Sequence, residues 1–220
     1  MKLGYLKEEK QMKNKQMIIF LSVMILSFGF NGCGGSSSTA TGTGGTVSSS
    51  TSSNTQAFDA PIVDDTTKQA YLDAINNARA IQQDCGTEGI KPAVSALVWS
   101  DELYKAAYEH SEDLAESNTF SHDGSGTTSD WTAEILVLGR GSTTQERIEN
   151  NGYTSWRAIG ENITAGTSRD TAQKAVESWL ASDGHCANLM NPAYKDVGMG
   201  YVEKSGTTYT HYWTQDFGAK

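Results

Sequence analysis

The chain has 220 residues, of which 37% are hydrophobic and 20% charged. That is enough for one ordinary domain with a real core and too few for two large ones. Its formal charge is −9, so it lacks the phosphate-neutralising charge that nucleic-acid binding needs, and nucleic acid is set aside as a partner.

Residues 1–16 carry Lys2, Lys7, Lys10, Lys13 and Lys15, and Met17 to Phe30 follow without a charge. A spanning helix wants about 20 apolar residues. A basic region ahead of a shorter apolar run reads instead as a secretory signal, with Met12 as an alternative start. The run ends at Gly32-Cys33-Gly34, which resembles a bacterial lipobox with Phe30 and Asn31 in place of the usual aliphatic and small residues. Processing of that kind would remove residues 1–32 and acylate Cys33. Each buried CH₂ then contributes about 0.8 kcal/mol to the anchor. From Gly34 to Gln56, 19 of 23 residues are Ser, Thr or Gly, a composition that cannot bury enough apolar surface to order itself. Residues 33–60 therefore read as a flexible tether and 61–220 as the folded domain. Beyond residue 32 there remain 12 basic and 24 acidic residues, a net charge of −12. A domain so acidic should not lie flat on an anionic bilayer, so the membrane is reached through the lipid anchor only.

Within the domain, Ala70, Ala74, Ile75, Ala78 and Ile81 recur at helical spacing over 66–83, with Asp64 and Asp65 at the N-terminal end. A second helix starts after Trp99, with Ser100 as its N-cap and a buried stripe of Leu103, Ala106, Ala107, His110 and Leu114. A third runs over 143–151, where Ser142 and Gln145 have capping-box spacing and Gly152 can end it. A fourth covers 170–181 and buries Ala172, Ala175, Val176 and Trp179. VGMGYVE and TTYTHYWTQDF are β-rich, and Lys204-Ser205-Gly206 between them suits a hairpin turn. Helices first and antiparallel strands last predict an α+β fold.

Four clusters punctuate the domain: FSHDG at 120–124, GENI at 160–163, WLASDGHCANLM at 179–190 and HYWTQDF at 211–217. His122, Glu161 and His185 in them are the candidate cleft residues. Neutral His and a carboxylate suit a divalent metal such as zinc, and the same groups can run acid–base chemistry. On spacing alone, two loop histidines and a capping Glu are the favoured reading. His110, on a buried helical stripe, reads as a hydrogen-bonded core histidine, and His211 as structural or rim-lining.

The order and wording of the clusters change the balance. AAYEHSEDLAESNTFSH (106–122), NNGYTSWRAIGENI (150–163), WLASDGHCANLMNPAYKDVGMGY (179–201) and YWTQDFG (212–218) together resemble the CAP superfamily of cysteine-rich secretory proteins, insect venom allergens and plant pathogenesis-related proteins. The resemblance covers roughly residues 66–218 and is nearest to the bacterial SCP-like branch. It implies a three-layer α-β-α sandwich with an antiparallel sheet and a cleft lined by two His and two Glu. His122 and His185 match the cleft histidines, the pair that would hold a metal, and Glu161 matches the Glu of the GEN motif. The family's second Glu falls at Ser182, which weakens a preformed metal site; Asp183 and Glu177 lie nearby without matching. Extra chain at 127–141, with the apolar run Ile135 to Leu138, reads as a packed strand or turn rather than a flap over the cleft.

With Cys33 lipidated, Cys85 and Cys186 are left to pair, and an extracytoplasmic compartment permits their oxidation. The rival reading, Cys186 as a nucleophile beside His185, is weaker because adjacent side chains usually point apart. No nucleophile with an activating base stands out. The leading expectation is therefore a lipid-anchored envelope protein that binds an envelope component, lipid or small ligand through its cleft. A metal-assisted or acid–base hydrolase is the alternative.

Overall fold

The computed structural model of the protein describes residues 56–220. The expected signal segment, Cys33 and most of the tether lie outside the described residues.

The first helix, α1 (Asp65–Arg79), starts where Asp64 accepts a hydrogen bond from the Thr67 amide at 2.7 Å. It ends four residues short of the expected Gln83. Gln83 instead opens a two-residue strand and turns its side-chain amide back to the Ala78 carbonyl at 2.8 Å. Ile81, placed on the buried stripe by its spacing, is exposed as a result. A small ribbon follows, β1 (Gln83–Asp84) against β2 (Ile90–Lys91), with a single 3₁₀ turn, Gly86–Glu88, at its tip.

Strand β3 (Val98–Trp99) leads into α2 (Asp101–Ser117). Ser100 caps α2 as its sequence predicts, accepting from the Leu103 amide, and all five residues of the expected stripe are buried. The inserted segment forms a short helix, α3 (Trp131–Leu136), capped by Asp130, rather than a packed strand or turn. Its apolar run is largely turned outward, with Val137 85% exposed. Helix α4 (Thr144–Asn150) does have a capping box, but one residue later than expected: Thr143 and Glu146 form it. Ser142 is withdrawn by Asp130, which accepts from its hydroxyl at 2.6 Å and its amide at 2.8 Å.

Strand β4 (Ala158–Ala165) was not expected, because Gly160, Glu161 and Asn162 break the alternation that marks a strand. Helix α5 (Ala172–Leu180) is followed by α6 (Asp183–Leu189), which was read only as a cluster of unusual residues. Strands β5 (Asp196–Glu203) and β6 (His211–Ala219) close the chain. The four-stranded sheet has the order β3-β5-β6-β4, antiparallel except for the short β3–β5 pair.

Strand alternation assigns the layers. Val197 and Met199 of β5, with Trp213 and Phe217 of β6, share one core with Ala74 and Ile75 of α1 and Trp179 of α5. The intervening Gly198 and Gly200 face α2. A Cβ on Gly198 would stand 2.0 Å from the Tyr104 backbone nitrogen, and one on Gly200 2.4 Å from that of Tyr108. The two glycines let the α2 backbone rest directly on the sheet. Helices thus cover both faces, giving the expected α-β-α sandwich. Ahead of α1, Phe58 stacks on Tyr108 with ring centroids 6.2 Å apart and meets Trp131 edge-on at 6.0 Å. Cys85 and Cys186 are disulfide-bonded across 101 residues and tie the end of β1 to α6. No helix among the described residues is long and apolar enough to cross a membrane.

Gly198→Ala should destabilise the protein by about 3 kcal/mol, the upper end for overpacking, because a helix backbone yields less than a side chain. Urea denaturation of variant and wild type measures the difference.

Candidate functional site

Glu161 lies on β4, the edge strand of the sheet, and its side chain is 2% exposed. Three donors converge on it. Arg147 Nη2 on α4 donates to Oε2 at 2.8 Å, Thr144 Oγ1 to Oε1 at 3.1 Å, and His122 Nδ1 lies 2.7 Å from Oε1. Burial works against the charge of Glu161, yet the Arg147 guanidinium, with the His122 contact, holds its carboxyl far below the usual range. Glu161 is therefore an anion, and His122 must carry its proton on Nδ1, which leaves Nε2 toward solvent.

Arg147 fixes the loop that carries His122 as well as the carboxylate. The same Nη2 reaches the His122 carbonyl at 2.8 Å, and Nη1 reaches the Ser142 carbonyl at 2.9 Å. The His122 backbone and imidazole are thus both tied to one ion pair, while the ring itself stays 53% exposed.

His185 arrives from α6, on the opposite layer. Its ring centroid is 6.2 Å from that of His122, with the planes inclined at 49°. Burial first, and then the neighbouring His122, lower its pKa, which favours its neutral form. Its backbone is fixed by the Asn162 side-chain amide, which donates to the His185 carbonyl at 3.2 Å. Asn188 in turn donates to the Glu161 carbonyl and to Asn162, and accepts from the Tyr194 hydroxyl at 2.8 Å. The GEN motif then has a physical reading. Gly160 leaves room for Tyr194, whose hydroxyl would stand 2.2 Å from a Cβ there; Glu161 holds His122; and Asn162 holds the His185 backbone. The structure brings all three candidate residues together.

Other sequence candidates are committed elsewhere. Asp183 accepts from the Thr87 amide and hydroxyl, Glu177 accepts from Gln173, and Ser182 stands at the N-cap of α6. His211 Nδ1 meets the Tyr201 hydroxyl at 2.8 Å on the far part of β6, a structural role. His110 is a core histidine, as expected, donating through Nε2 to the Ser121 carbonyl at 2.9 Å. Desolvation, and next the Arg147 charge, push its pKa down to about 3. It is also part of the site, with Nε2 4.0 Å from Glu161. Arg147, Thr144 and Asp216 belong to the same buried group and were missed. Arg147 reads as an ordinary solvent-facing helix cation, and nothing local distinguishes it.

This architecture has a family. Residues 72–217 match the model of the CAP, or cysteine-rich secretory protein, family. The chain belongs to it. It is 31% identical over 128 residues to the uncharacterized membrane protein YlbC of Bacillus subtilis, covering 58% of this chain and 30% of that one. It is likewise 31% identical over 130 residues to the uncharacterized protein YkwD of the same organism, covering 59% and 40%. The chain thus spans well under half the length of either relative. It is similar in structure to an extracellular SCP-domain protein from Bacillus anthracis, at 24% identity and a TM-score of 0.49 over 73% of this chain and 45% of that one.

A resident metal does not fit this CAP cleft. Both Glu161 oxygens are occupied, a guanidinium lies against one of them, and position 182 supplies no carboxylate. Among the described residues, no group of three or more His, Cys, Asp or Glu is arranged to hold an ion. Two imidazoles are the remaining donors, fewer than a structural or catalytic zinc site uses.

Arg147→Met should cost about 3–5 kcal/mol at neutral pH, because it leaves the Glu161 charge buried and unpaired. The folded-state pKa of Glu161 is depressed in the wild type. Its stabilisation is therefore present above the unfolded glutamate range and lost as pH falls. In the variant Glu161 takes up its proton at higher pH, so the gap to wild type should narrow on acidification, as urea titrations at neutral and acid pH will report.

Proposed function

We propose that the chain is an extracytoplasmic binding module of the bacterial envelope, anchored by a lipid on Cys33, with the His122–His185 cleft as its contact face. The ligand class is an envelope component, lipid or other small molecule that offers hydrogen-bonding groups to two imidazole edges. The Cys85–Cys186 bridge supports the compartment, and the basic-then-apolar N-terminus ending at Gly32-Cys33 supports the anchor.

One observation carries binding over hydrolysis: His122 is oriented by a buried carboxylate but holds no side-chain nucleophile. Among the described residues, neither His122 nor His185 has a side-chain hydrogen bond to a hydroxyl or a thiol, and Cys186 is spent in the disulfide. Glu161, held far below its usual range, is a poor general base. The site is built to present imidazole edges rather than to move protons.

Two measurements test this reading. Cys33→Ser should shift the protein from the membrane pellet to the soluble fraction, whereas a variant still sedimenting with membranes would overturn the lipid anchor. A His122→Ala, His185→Ala double variant should remain folded, with a lower thermal midpoint from the donor lost at Glu161, and lose about tenfold in retention on isolated envelope fragments, about 1.4 kcal/mol. Equal retention would remove the cleft as the contact face. Breakdown of envelope material by wild type but not by the double variant would replace binding with hydrolysis.

A further inference from the structure

Behind Glu161 lies a second buried carboxyl, that of Asp216. Asp216 on β6 is the cross-strand partner of Glu161, so both side chains lie on the face toward α2. It is fully buried, and neither of its oxygens meets an N–H or O–H donor among the described residues. Its partner on the other side, in β5, is Gly198, which offers no side chain. The titratable groups that act on it are Glu161 from β4, Arg147 from α4 and Glu109 from α2, and His110 of α2 stands beside Glu161.

Two buried carboxylates side by side without a donor between them would each forfeit their hydration and repel one another. If Asp216 were ionised, Glu109, Glu161 and Asp216 would place three negative charges around one guanidinium. His110, already a donor to Ser121 through Nε2 and held neutral by burial, supplies no compensating charge. A hydrogen bond between two carboxyl groups exists only when one of them carries a proton. Glu161 cannot be that one: Arg147, His122 and Thr144 all favour its anion. These three donors also use three of the roughly four lone-pair positions a carboxylate offers, which leaves one for Asp216.

We propose that Asp216 is a neutral carboxylic acid whose O–H donates to Glu161, a positioning residue that completes the shell holding the His122 imidazole in place. No proton is transferred: the O–H bond stays with Asp216 and the negative charge stays on Glu161. Burial, and next the Glu161 charge, push the Asp216 carboxyl well above the ordinary aspartate range, in the direction this arrangement requires. The missing second carboxylate at Ser182 thus has a counterpart of different kind, behind the site and uncharged. The inference concerns the internal state of the site and holds whatever the cleft binds.

Carbon-13 labelling of aspartate carboxyl groups in the full chain, held in detergent micelles, tests it directly. At neutral pH one carboxyl resonance should lie at the position of the neutral acid, stay there down through the ordinary aspartate range near pH 4, and be absent from Asp216→Asn. A resonance assigned to Asp216 that reports an ionised carboxyl at neutral pH overturns the proposal. The imidazole titration of His122 supplies a second readout that a merely structural role would not move. Asp216→Asn, whose amide can donate in the same place, should leave the His122 midpoint within a few tenths of a pH unit of wild type. Asp216→Ala concentrates charge on Glu161 and should move the midpoint upward, beyond any change in Asp216→Asn. Equal shifts in the two variants would also overturn the proposal. If Asp216→Ala does not fold, the wild-type carbon-13 titration decides alone.

Discussion

The contact on which this protein's site depends is the buried ion pair between Arg147 and Glu161. Neither charge could be buried alone without a penalty of several kcal/mol, so α4 and the edge strand β4 must come together for either to be tolerated. The Nη groups of Arg147 also donate to the Ser142 and His122 carbonyls. The long connection between α2 and α4, which contains the inserted α3, is in this way held at its two ends by one side chain. His122 owes its position to that arrangement rather than to any regular element of its own.

The second half of the site is assembled by neutral hydrogen bonds. Asn162, Asn188 and Tyr194 link β4 to α6 in a chain of amides and a hydroxyl, which sets the His185 backbone without adding charge beside an already charged centre. One imidazole is therefore held through an ion pair and the other through dipoles. The two meet at the sheet edge, where side chains from opposite layers can approach each other without crossing the sheet. The glycines of β5 contribute at a distance. By letting α2 lie directly on the strands, they bring His110 and Glu109 within reach of the Arg147–Glu161 pair.

What the sequence made legible were the features set by local periodicity and by residue wording. The stripe of α2 and its Ser100 cap follow from 3.6-residue spacing and from N-cap chemistry, and both hold. His122, Glu161 and His185 stood out as ionisable groups beside glycines or at the ends of elements, and the structure places them together. The misreadings turn on contacts and constraints that local periodicity does not reveal. Ser142 looked like a cap until Asp130 claimed it. Gln83 looked like the end of a helix but turns back to seal one. β4 was hidden because its central residues are chosen for the site and not for a half-buried strand. Arg147 and Asp216 were invisible for the same reason: a helix cation and a strand carboxyl declare nothing until the opposite charge or the neighbouring acid is in view.

The bond between Cys85 and Cys186 places a covalent restraint on the residue directly following His185 in the chain. In a reducing cytoplasm that restraint is absent, and α6 is held to the β1–β2 ribbon by weaker forces, among them the Asp183 contacts with Thr87. The His122 half of the cleft needs no oxidant, since its ion pair forms on folding alone. The two halves of the cleft therefore differ in kind: the His122 half rests on an ion pair, and the His185 half is tied in addition by a covalent bond that only an oxidising environment permits.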